Sequence, residues 1–114
     1  MNRVLFVSQD VDLCAAAARA LGRAGFEVTT ATHGGHALLE CLQTDFNALI
    51  IEDRLPEGTG SRVAASLRRL APRLRVIRLS DGPAAPGEGS VVRRPFTADD
   101  LVAALVETNV PSTS

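Results

Sequence analysis

A chain of 114 residues with a formal net charge of −1 has the size of one globular domain, and its 46% hydrophobic and 22% charged residues exclude a disordered chain. The near-neutral charge argues against direct nucleic-acid binding, which needs a basic surface. No apolar run reaches the ~18 residues that span a bilayer, and the N-terminus lacks the pattern of a signal peptide. We therefore expect a cytoplasmic protein without a membrane partner. Cys14 and Cys41 have no CxxC spacing, which indicates buried free thiols rather than a disulfide or a metal site.

The first half of the chain alternates between strands and helices. Residues 4–7 are a continuous apolar run, which predicts a strand buried on both faces. Asp10 offers an N-cap for the helix that follows. Residues 26–31 alternate between apolar and polar side chains, which is typical of an edge strand. A second helix begins after two glycines, and residues 47–51, which are apolar from position 48 onward, predict a third strand.

The second half continues the alternation. A third helix is stopped by Pro72, and residues 75–79 and 90–93 predict the fourth and fifth strands. Thr97 caps a last helix. Alternating β and α elements predict an α/β fold with a doubly wound parallel sheet and helices on both faces. We expect one domain over residues 1–110, with residues 111–114 as a tail or the start of a linker.

Ligands of such sheets bind beyond the carboxyl ends of the strands, where the strand order reverses. Six candidate site residues follow the first, third, fourth and fifth strands: Ser8, Gln9, Glu52, Asp53, Ser80 and Arg94.

Over residues 2–109 the chain resembles the receiver domains of bacterial two-component response regulators. The resemblance is carried by five stretches in the right order: "VLFVSQDVDL", "GFEVTTATHGGHALLECL", "NALIIEDRLPEGTG", "RVIRLS" and "RRPFTADDL". It implies five strands in the order 2-1-3-4-5, the flavodoxin-like arrangement, and a cis peptide bond between Arg94 and Pro95.

In receiver domains, two acids after the first strand and an Asp at the end of the third hold Mg²⁺, and that Asp accepts a phosphoryl group. A hydroxyl after the fourth strand and a Lys after the fifth contact the phosphate. The resemblance places Ser8 and Gln9 at the acid pair, Glu52 at the phosphoacceptor position, Ser80 at the hydroxyl and Arg94 at the Lys. Because Ser8 and Gln9 bring no charge to the positions of the two acids, we expect a vestigial site with no catalytic residue, no metal and no other cofactor.

Some residues of this site have two interpretations. The carboxylate of Glu52 extends about 1.5 Å farther than that of an Asp. A bond from it to Arg94 or Ser80 either mimics the phosphorylated state weakly or is a structural ion pair without signalling meaning. Asp53 is expected to be a solvated turn acid, unless a one-residue slip of the strand brings it inward as a second acceptor. Asp10 is expected to be an N-cap rather than a metal ligand.

Residues 81–89, "DGPAAPGEG", leave no room for the helix that receiver domains carry between their last two strands. Nine helical residues rise only about 13 Å and leave none for the turns, and three Gly and two Pro disfavour a helix. We expect this fourth helix to be missing and the segment to be mobile. Val91 replaces an aromatic residue that receiver domains use as a switch.

Two remaining groups have plain interpretations. Arg68, Arg69, Arg73 and Arg75 suit the end of the third helix as a solvated face. The histidines at 33 and 36 lack a metal-ligand partner set, and we expect them to serve a loop.

The sequence thus predicts an atypical receiver domain that is not an enzyme. It would act as a phosphorylation-independent protein-interaction or regulatory module with protein partners in signalling, and a homodimer is one option. Three alternatives stay open: a phosphoaccepting receiver that uses Asp53 or Glu52, a small-ligand-binding flavodoxin-like domain, and a receiver joined to the output of a larger regulator.

Overall fold

A computed structural model describes residues 2–55, 58–82, 87 and 89–109, with the side chains of 107–109 excepted. The predicted tail, residues 111–114, lies outside the described residues. In chain order the elements are β1 (Arg3–Val7), α1 (Val11–Arg23), β2 (Glu27–Ala31), α2 (Gly34–Gln43), β3 (Ala48–Glu52), β4 (Arg54–Leu55), β5 (Gly58–Thr59), α3 (Gly60–Leu70), β6 (Arg75–Ser80), β7 (Ser90–Arg93) and α4 (Ala98–Asn109).

The main sheet has five parallel strands in the order β2-β1-β3-β6-β7. The two-residue strands β4 and β5 pair only with each other, antiparallel. Counted without them, the order is the predicted 2-1-3-4-5, so the doubly wound α/β fold is confirmed, with β2 at one edge. Glu52 pairs with Leu79 in the register, and the strand slip considered for Asp53 does not occur.

The core is divided by the sheet, because alternate strand residues point to opposite faces. On one face Leu5 and Val7 pack with residues of α2 and α3, including Ala37, Ala64 and Leu67. On the other face a second cluster joins the sheet to α1 and α4, and its members include Val4, Phe6, Cys14, Leu21, Leu101 and Leu105. The strands packed between these two clusters carry the candidate site residues at their carboxyl ends.

Side chains cap the helices as the sequence predicts in two cases. Asp10 Oδ1 accepts a hydrogen bond of 3.1 Å from the backbone N–H of Leu13 at the start of α1. At the start of α4, Thr97 Oγ1 accepts from the N–H of Asp100 at 3.2 Å, and Asp100 Oδ2 accepts from the N–H of Thr97 at 2.8 Å. This reciprocal pair is a capping box.

The prediction that both histidines serve a loop is wrong. His33 Nδ1 accepts a hydrogen bond of 3.2 Å from the N–H of His36, so His33 caps α2. His36 lies in the first turn of that helix, 3.3 Å from Glu40 Oε2. An imidazole is an uncommon cap, which is why residue type alone does not indicate this role.

Between β6 and β7 the described residues, at positions 81, 82, 87 and 89, are non-helical, as predicted. Residues 83–86 and 88 lie outside the described residues, and the mobility of the segment stays a prediction. Gly89 has a φ of 79°, and a Cβ there would overlap the carbonyl oxygen of Val76, so only glycine fits. The Arg94–Pro95 peptide bond is cis, which confirms that expectation.

The remaining expectations concern single side chains. Both cysteines are free, Cys14 buried and Cys41 half-buried, and burial raises the pKa of both thiols. Arg69 and its neighbours at positions 73 and 75 are exposed, whereas Arg68 is half-buried. Within the described residues no helix has the length and apolarity that crossing a membrane requires.

Gly60, the first residue of α3, lies so close to the end of β3 that a Cβ would overlap the carbonyl oxygen of Glu52. We expect Gly60→Ala to lower the free energy of unfolding by about 1–3 kcal/mol, because the backbone must shift to make room. Gly22 in α1 is the matched control, since a Cβ there meets nothing within 4 Å. Gly22→Ala should raise stability by about 0.5–1 kcal/mol through its better helix propensity. Urea unfolding measures both, and a neutral Gly60→Ala would contradict the close approach.

Candidate functional site

The carboxyl ends of the main strands surround an open cleft of about 430 Å³. Its lining contains three carboxylates and two guanidinium groups, and the full set is Ser8, Gln9, Asp10, Glu52, Arg54, Asp81 and Arg94. Four of the six candidate residues, Ser8, Gln9, Glu52 and Arg94, are therefore brought together. Ser80 and Asp53 are not part of this lining.

Glu52 and Arg94 form the central contact of the cleft. Arg94 Nη2 donates to Glu52 Oε1 at 2.6 Å, and Nη1 donates to Oε2 at 3.0 Å. The two side chains are 13% and 33% exposed, so water screens the pair only partly. Parallel N–H donors on both carboxylate oxygens are the strongest geometry that an ion pair adopts in proteins. The hydrogen bond to Glu52 is the main cause that raises the pKa of Arg94.

Arg94 has two further partners. Its Nη1 donates to Asp81 Oδ1 at 2.8 Å, and its guanidinium carbon lies 5.3 Å from the centre of the Phe96 ring. A cation over an aromatic face adds a modest attraction. Arg94 thus joins the end of β3 to the residue that follows β6. Asp81 was not among the sequence candidates, although its place directly after a strand end was a usable signal.

Ser8 and Gln9 give the cleft no charge. Ser8 is buried, and its hydroxyl accepts from the N–H of Asp10 at 3.0 Å and donates to Glu52 Oε1 at 3.4 Å. It therefore shapes the turn between β1 and α1 and supports Glu52. Gln9 is exposed along the wall of the cleft.

The Ser80 side chain forms its hydrogen bonds within the turn that follows β6. Its hydroxyl donates to the carbonyl oxygen of Gly82 at 2.9 Å and accepts from the N–H of Gly82 at 3.3 Å. Of the two partners considered for Glu52, the structure therefore brings Arg94 to it and leaves Ser80 at the strand end.

The expectation that Asp53 is a solvated turn acid is wrong. Asp53 Oδ1 accepts a hydrogen bond of 2.9 Å from Arg78 Nη1, and the two side chains are only 12% and 3% exposed. Neighbouring residues at a strand end point to opposite faces of the sheet, so Glu52 faces the cleft and Asp53 faces the other side. Sequence reasoning missed Arg78, although an arginine inside the apolar strand β6 was a signal of a buried partner.

The donors in the cleft fit Mg²⁺ poorly. This hard cation prefers several charged oxygen ligands, whereas Ser8 and Gln9 are neutral and both oxygens of Glu52 are bonded to Arg94. Asp10 Oδ1 is engaged as the cap of α1. No group of three or more His, Cys, Asp or Glu side chains within the described ranges could hold a metal ion. The charged side chains of the cleft are joined by ion pairs of Arg94 with Glu52 and Asp81.

No model of a known protein family matches the sequence. The chain is similar to response regulator receiver protein CpdR of Brucella abortus, with 27% identity over 110 residues that cover 90% of this chain and 92% of the relative. It is 31% identical over 111 residues to transcriptional regulatory protein TcrA of Mycobacterium tuberculosis, covering 90% of this chain and 44% of that protein. The match to transcriptional regulatory protein PrrA of Mycobacterium leprae is 37% over 68 residues, 60% of this chain and 29% of PrrA.

Solved structures share the fold. Vibrio cholerae chemotaxis protein CheY4 superposes with a TM-score of 0.87 at 23% identity, covering 95% of this chain and 98% of that chain. Thermotoga maritima response regulator protein TrrA, in complex with Mg²⁺ and BeF, has a TM-score of 0.81 at 21% identity, with 95% and 99% covered. These likenesses establish the CheY-like fold. Together with the similarity to CpdR along most of both chains, they strongly support a response-regulator receiver domain. The chain spans less than half of TcrA and PrrA.

The buried pair of Asp53 and Arg78 yields a stability prediction. Asp53→Asn should lower the free energy of unfolding by about 3 kcal/mol, because it removes the carboxylate of a buried ion pair. Adding Arg78→Met should recover much of that loss. Asp81→Asn is the matched control, since that carboxylate is 69% exposed, and it should cost less than about 1 kcal/mol. Urea unfolding of the unmodified protein and the three variants tests this. Equal costs for Asp53→Asn and Asp81→Asn would contradict the buried pair.

Proposed function

We propose that this chain is a degenerate receiver domain of bacterial two-component signalling. It works in the cytoplasm as a protein-interaction or regulatory module whose state does not depend on phosphorylation. One observation carries the proposal: Arg94 holds both carboxylate oxygens of Glu52, the residue that the resemblance places at the phosphoacceptor position.

Phosphoryl transfer to Glu52 would require one of its oxygens to be free to attack in line. The transfer also requires positive charge around the moving phosphoryl group. Arg94 already neutralises the acceptor itself, and each charge-assisted hydrogen bond contributes about 1.5–3 kcal/mol. Freeing one oxygen would therefore slow the reaction by roughly tenfold to a hundredfold, even before the missing acids are considered. This supports a site at which Glu52 is not phosphorylated.

The contacts of Arg94 support a fixed rather than a switched state. A permanent carboxylate holds its guanidinium, and Asp81 and the ring of Phe96 lie against the same group. Val91 is half-buried and carries no ring that could move between a buried and an exposed position. Of the two meanings considered for the Glu52–Arg94 pair, we propose that it replaces the phosphorylated contact and keeps the domain in one state.

The rival acceptor, Asp53, gains no support from its surroundings. Its carboxylate faces away from the cleft and is bonded to the buried Arg78. A phosphoryl group on Asp53 would have to displace that partner in a space that water hardly reaches. A small-ligand site in the cleft is not favoured either, because binding pockets are mostly apolar and five of the seven lining residues are charged.

Acetyl phosphate with Mg²⁺ tests the proposal directly. The unmodified protein should gain no phosphoryl group in intact mass spectrometry, and neither should Glu52→Asp alone, because Ser8 and Gln9 still supply no charge. The triple variant Ser8→Asp, Gln9→Asp, Glu52→Asp should gain label on a detectable fraction of chains, since three carboxylates then meet Mg²⁺ and the acceptor has its shorter reach. Uptake of one phosphoryl group per chain by the unmodified protein, mapped to Asp53 or Glu52, would refute the proposal.

The unmodified protein and the triple variant should also differ in their affinity for Mg²⁺. We expect calorimetry to detect no heat of Mg²⁺ binding to the unmodified protein at millimolar concentration, and clear binding to the triple variant. Glu52→Gln in the unmodified background is the control, because it removes the one acid at the acceptor position without adding a ligand. A binding heat in the unmodified protein that Glu52→Gln abolishes would show that the present donors are sufficient for the metal.

A further inference from the structure

The pair of helices α2 and α3 exposes most of the large apolar side chains on the described surface. Leu38, Leu39 and Leu42 of α2 and Leu70 of α3 are 40–63% exposed. The two other large apolar residues that are exposed lie on the opposite layer, Val11 on α1 and Val106 on α4. Scattered exposed leucines are ordinary, whereas four on two adjacent helices form a patch that points to an interaction site.

The patch includes concave surface between the two helices. A groove of about 220 Å³ is lined by Gly34, Gly35, Leu38, Val63, Ser66 and Leu67. The two glycines lack side chains at this position and leave the groove open. A second cleft of about 380 Å³ follows at the end of α3, where Leu70 and Arg73 are among its lining residues. Because Leu67 and Leu70 are one turn apart on α3, the two depressions are neighbours along that helix.

The charge on the α3 side of this groove has one sign, whereas the second cleft has Asp45 as well as Arg73 in its lining. Residues 58–80 contain six arginines and no acid. Arg62 and Arg69 lie four residues before and three residues after Ser66, so they share its side of α3. Both are exposed, as is Arg73 at the second cleft. On α2 the carboxylate of Glu40 is paired with His36. The edge formed by α3 therefore offers cations to any partner that enters the groove.

We propose that the α2–α3 groove docks an amphipathic helix of a protein partner, with aliphatic residues at i, i+3 or i+4, and i+7 and with acidic residues beside them. The aliphatic side chains enter the groove at Leu38 and Leu67 and cover the exposed leucines. The acidic ones face Arg62, Arg69 and Arg73, which orients the helix and speeds its association. The groove would be the partner-binding surface of the proposed interaction module. It lies on other residues than the Glu52–Arg94 pair, so the docking stands whether or not that pair is permanent.

Other occupants fit this surface less well. A second copy of the chain would bring the same arginines of α3 against each other in a two-fold interface. A lipid surface would contact protruding apolar side chains rather than a concave groove, and the whole chain carries a net charge of −1. Nucleic acid would leave the exposed leucines without a partner.

The probe for this site is a fluorescently labelled helical peptide of about four turns with leucines at i, i+3, i+4 and i+7 and glutamates flanking that stripe. Its charge-reversed twin has lysines at the flanking positions. Fluorescence anisotropy should give at least about tenfold tighter binding of the acidic peptide, and added salt should narrow the difference. NMR chemical-shift changes on the protein should lie on α2 and α3.

Matched variants decide between this groove and non-specific binding. Leu38→Ser and Arg69→Glu should each weaken the acidic peptide about tenfold. Val106→Ser and Arg19→Glu, exposed residues on α4 and α1, should change it less than about twofold. Circular dichroism verifies that each variant is folded, and Arg62→Glu replaces Leu38→Ser if that variant unfolds. Five results would each overturn the proposal. The two peptides bind equally, or the control variants lose as much affinity for the acidic peptide as the groove variants do. The NMR chemical-shift changes are confined to the strand-end cleft, the protein prefers anionic phospholipid vesicles to the peptide, or it dimerises through α2 and α3.

Discussion

Two adjacent carboxylates at the end of β3 face opposite sides of the sheet, and each is held by an arginine. The alternation of strand side chains forces this division, because Glu52 and Asp53 cannot both point into the cleft. Glu52 turns to Arg94 at the partly exposed strand ends, and Asp53 turns to Arg78 inside the domain. The first pair lies in the cleft, and we expect the second to have the larger effect on stability, since breaking a buried ion pair costs several kcal/mol.

The Glu52–Arg94 pair gives the cleft a positive charge that is covalently attached to the chain. A divalent cation is a mobile ligand that comes and goes, whereas a guanidinium is attached to the chain and keeps its charge at all physiological pH values. Three carboxylates and two arginines line the cleft, so its charges nearly balance internally. A site whose charges already balance gains little from an added metal or phosphoryl group. This is the physical basis of the proposed phosphorylation-independent state.

Helix α3 connects this site to the proposed docking surface. Its first residue, Gly60, donates its N–H to the carbonyl oxygen of Asp53 at 2.8 Å and lies against the backbone of Glu52. Gly87, from the segment between β6 and β7, lies against Ser61 and the guanidinium of Arg78. The start of α3 is thus held by the same strand end that carries both ion pairs. The rest of that helix presents Val63 and Leu67 to the groove and Leu70 to the second cleft, so the position of the groove depends on the end of β3.

The sequence by itself determined where the strands and the site lie along the chain. A short, fully apolar run such as residues 4–7 fits a strand buried on both faces, and the resemblance supplied the order in which the strands pair. The caps at Asp10 and Thr97 were predictable because they rest on contacts within three residues. The assignment of Glu52 to the acceptor position came from the resemblance, and it stays a prediction.

Only the tertiary structure determined which partner each charged side chain contacts. Asp53 and Arg78 are 25 residues apart, and nothing local indicates that both point to the same face of neighbouring strands. The choice of Arg94 over Ser80 as the partner of Glu52 likewise depended on the turn that engages the Ser80 hydroxyl. A pattern along the chain encodes periodicity and spacing, whereas an ion pair depends on how strands are aligned and which face each side chain takes.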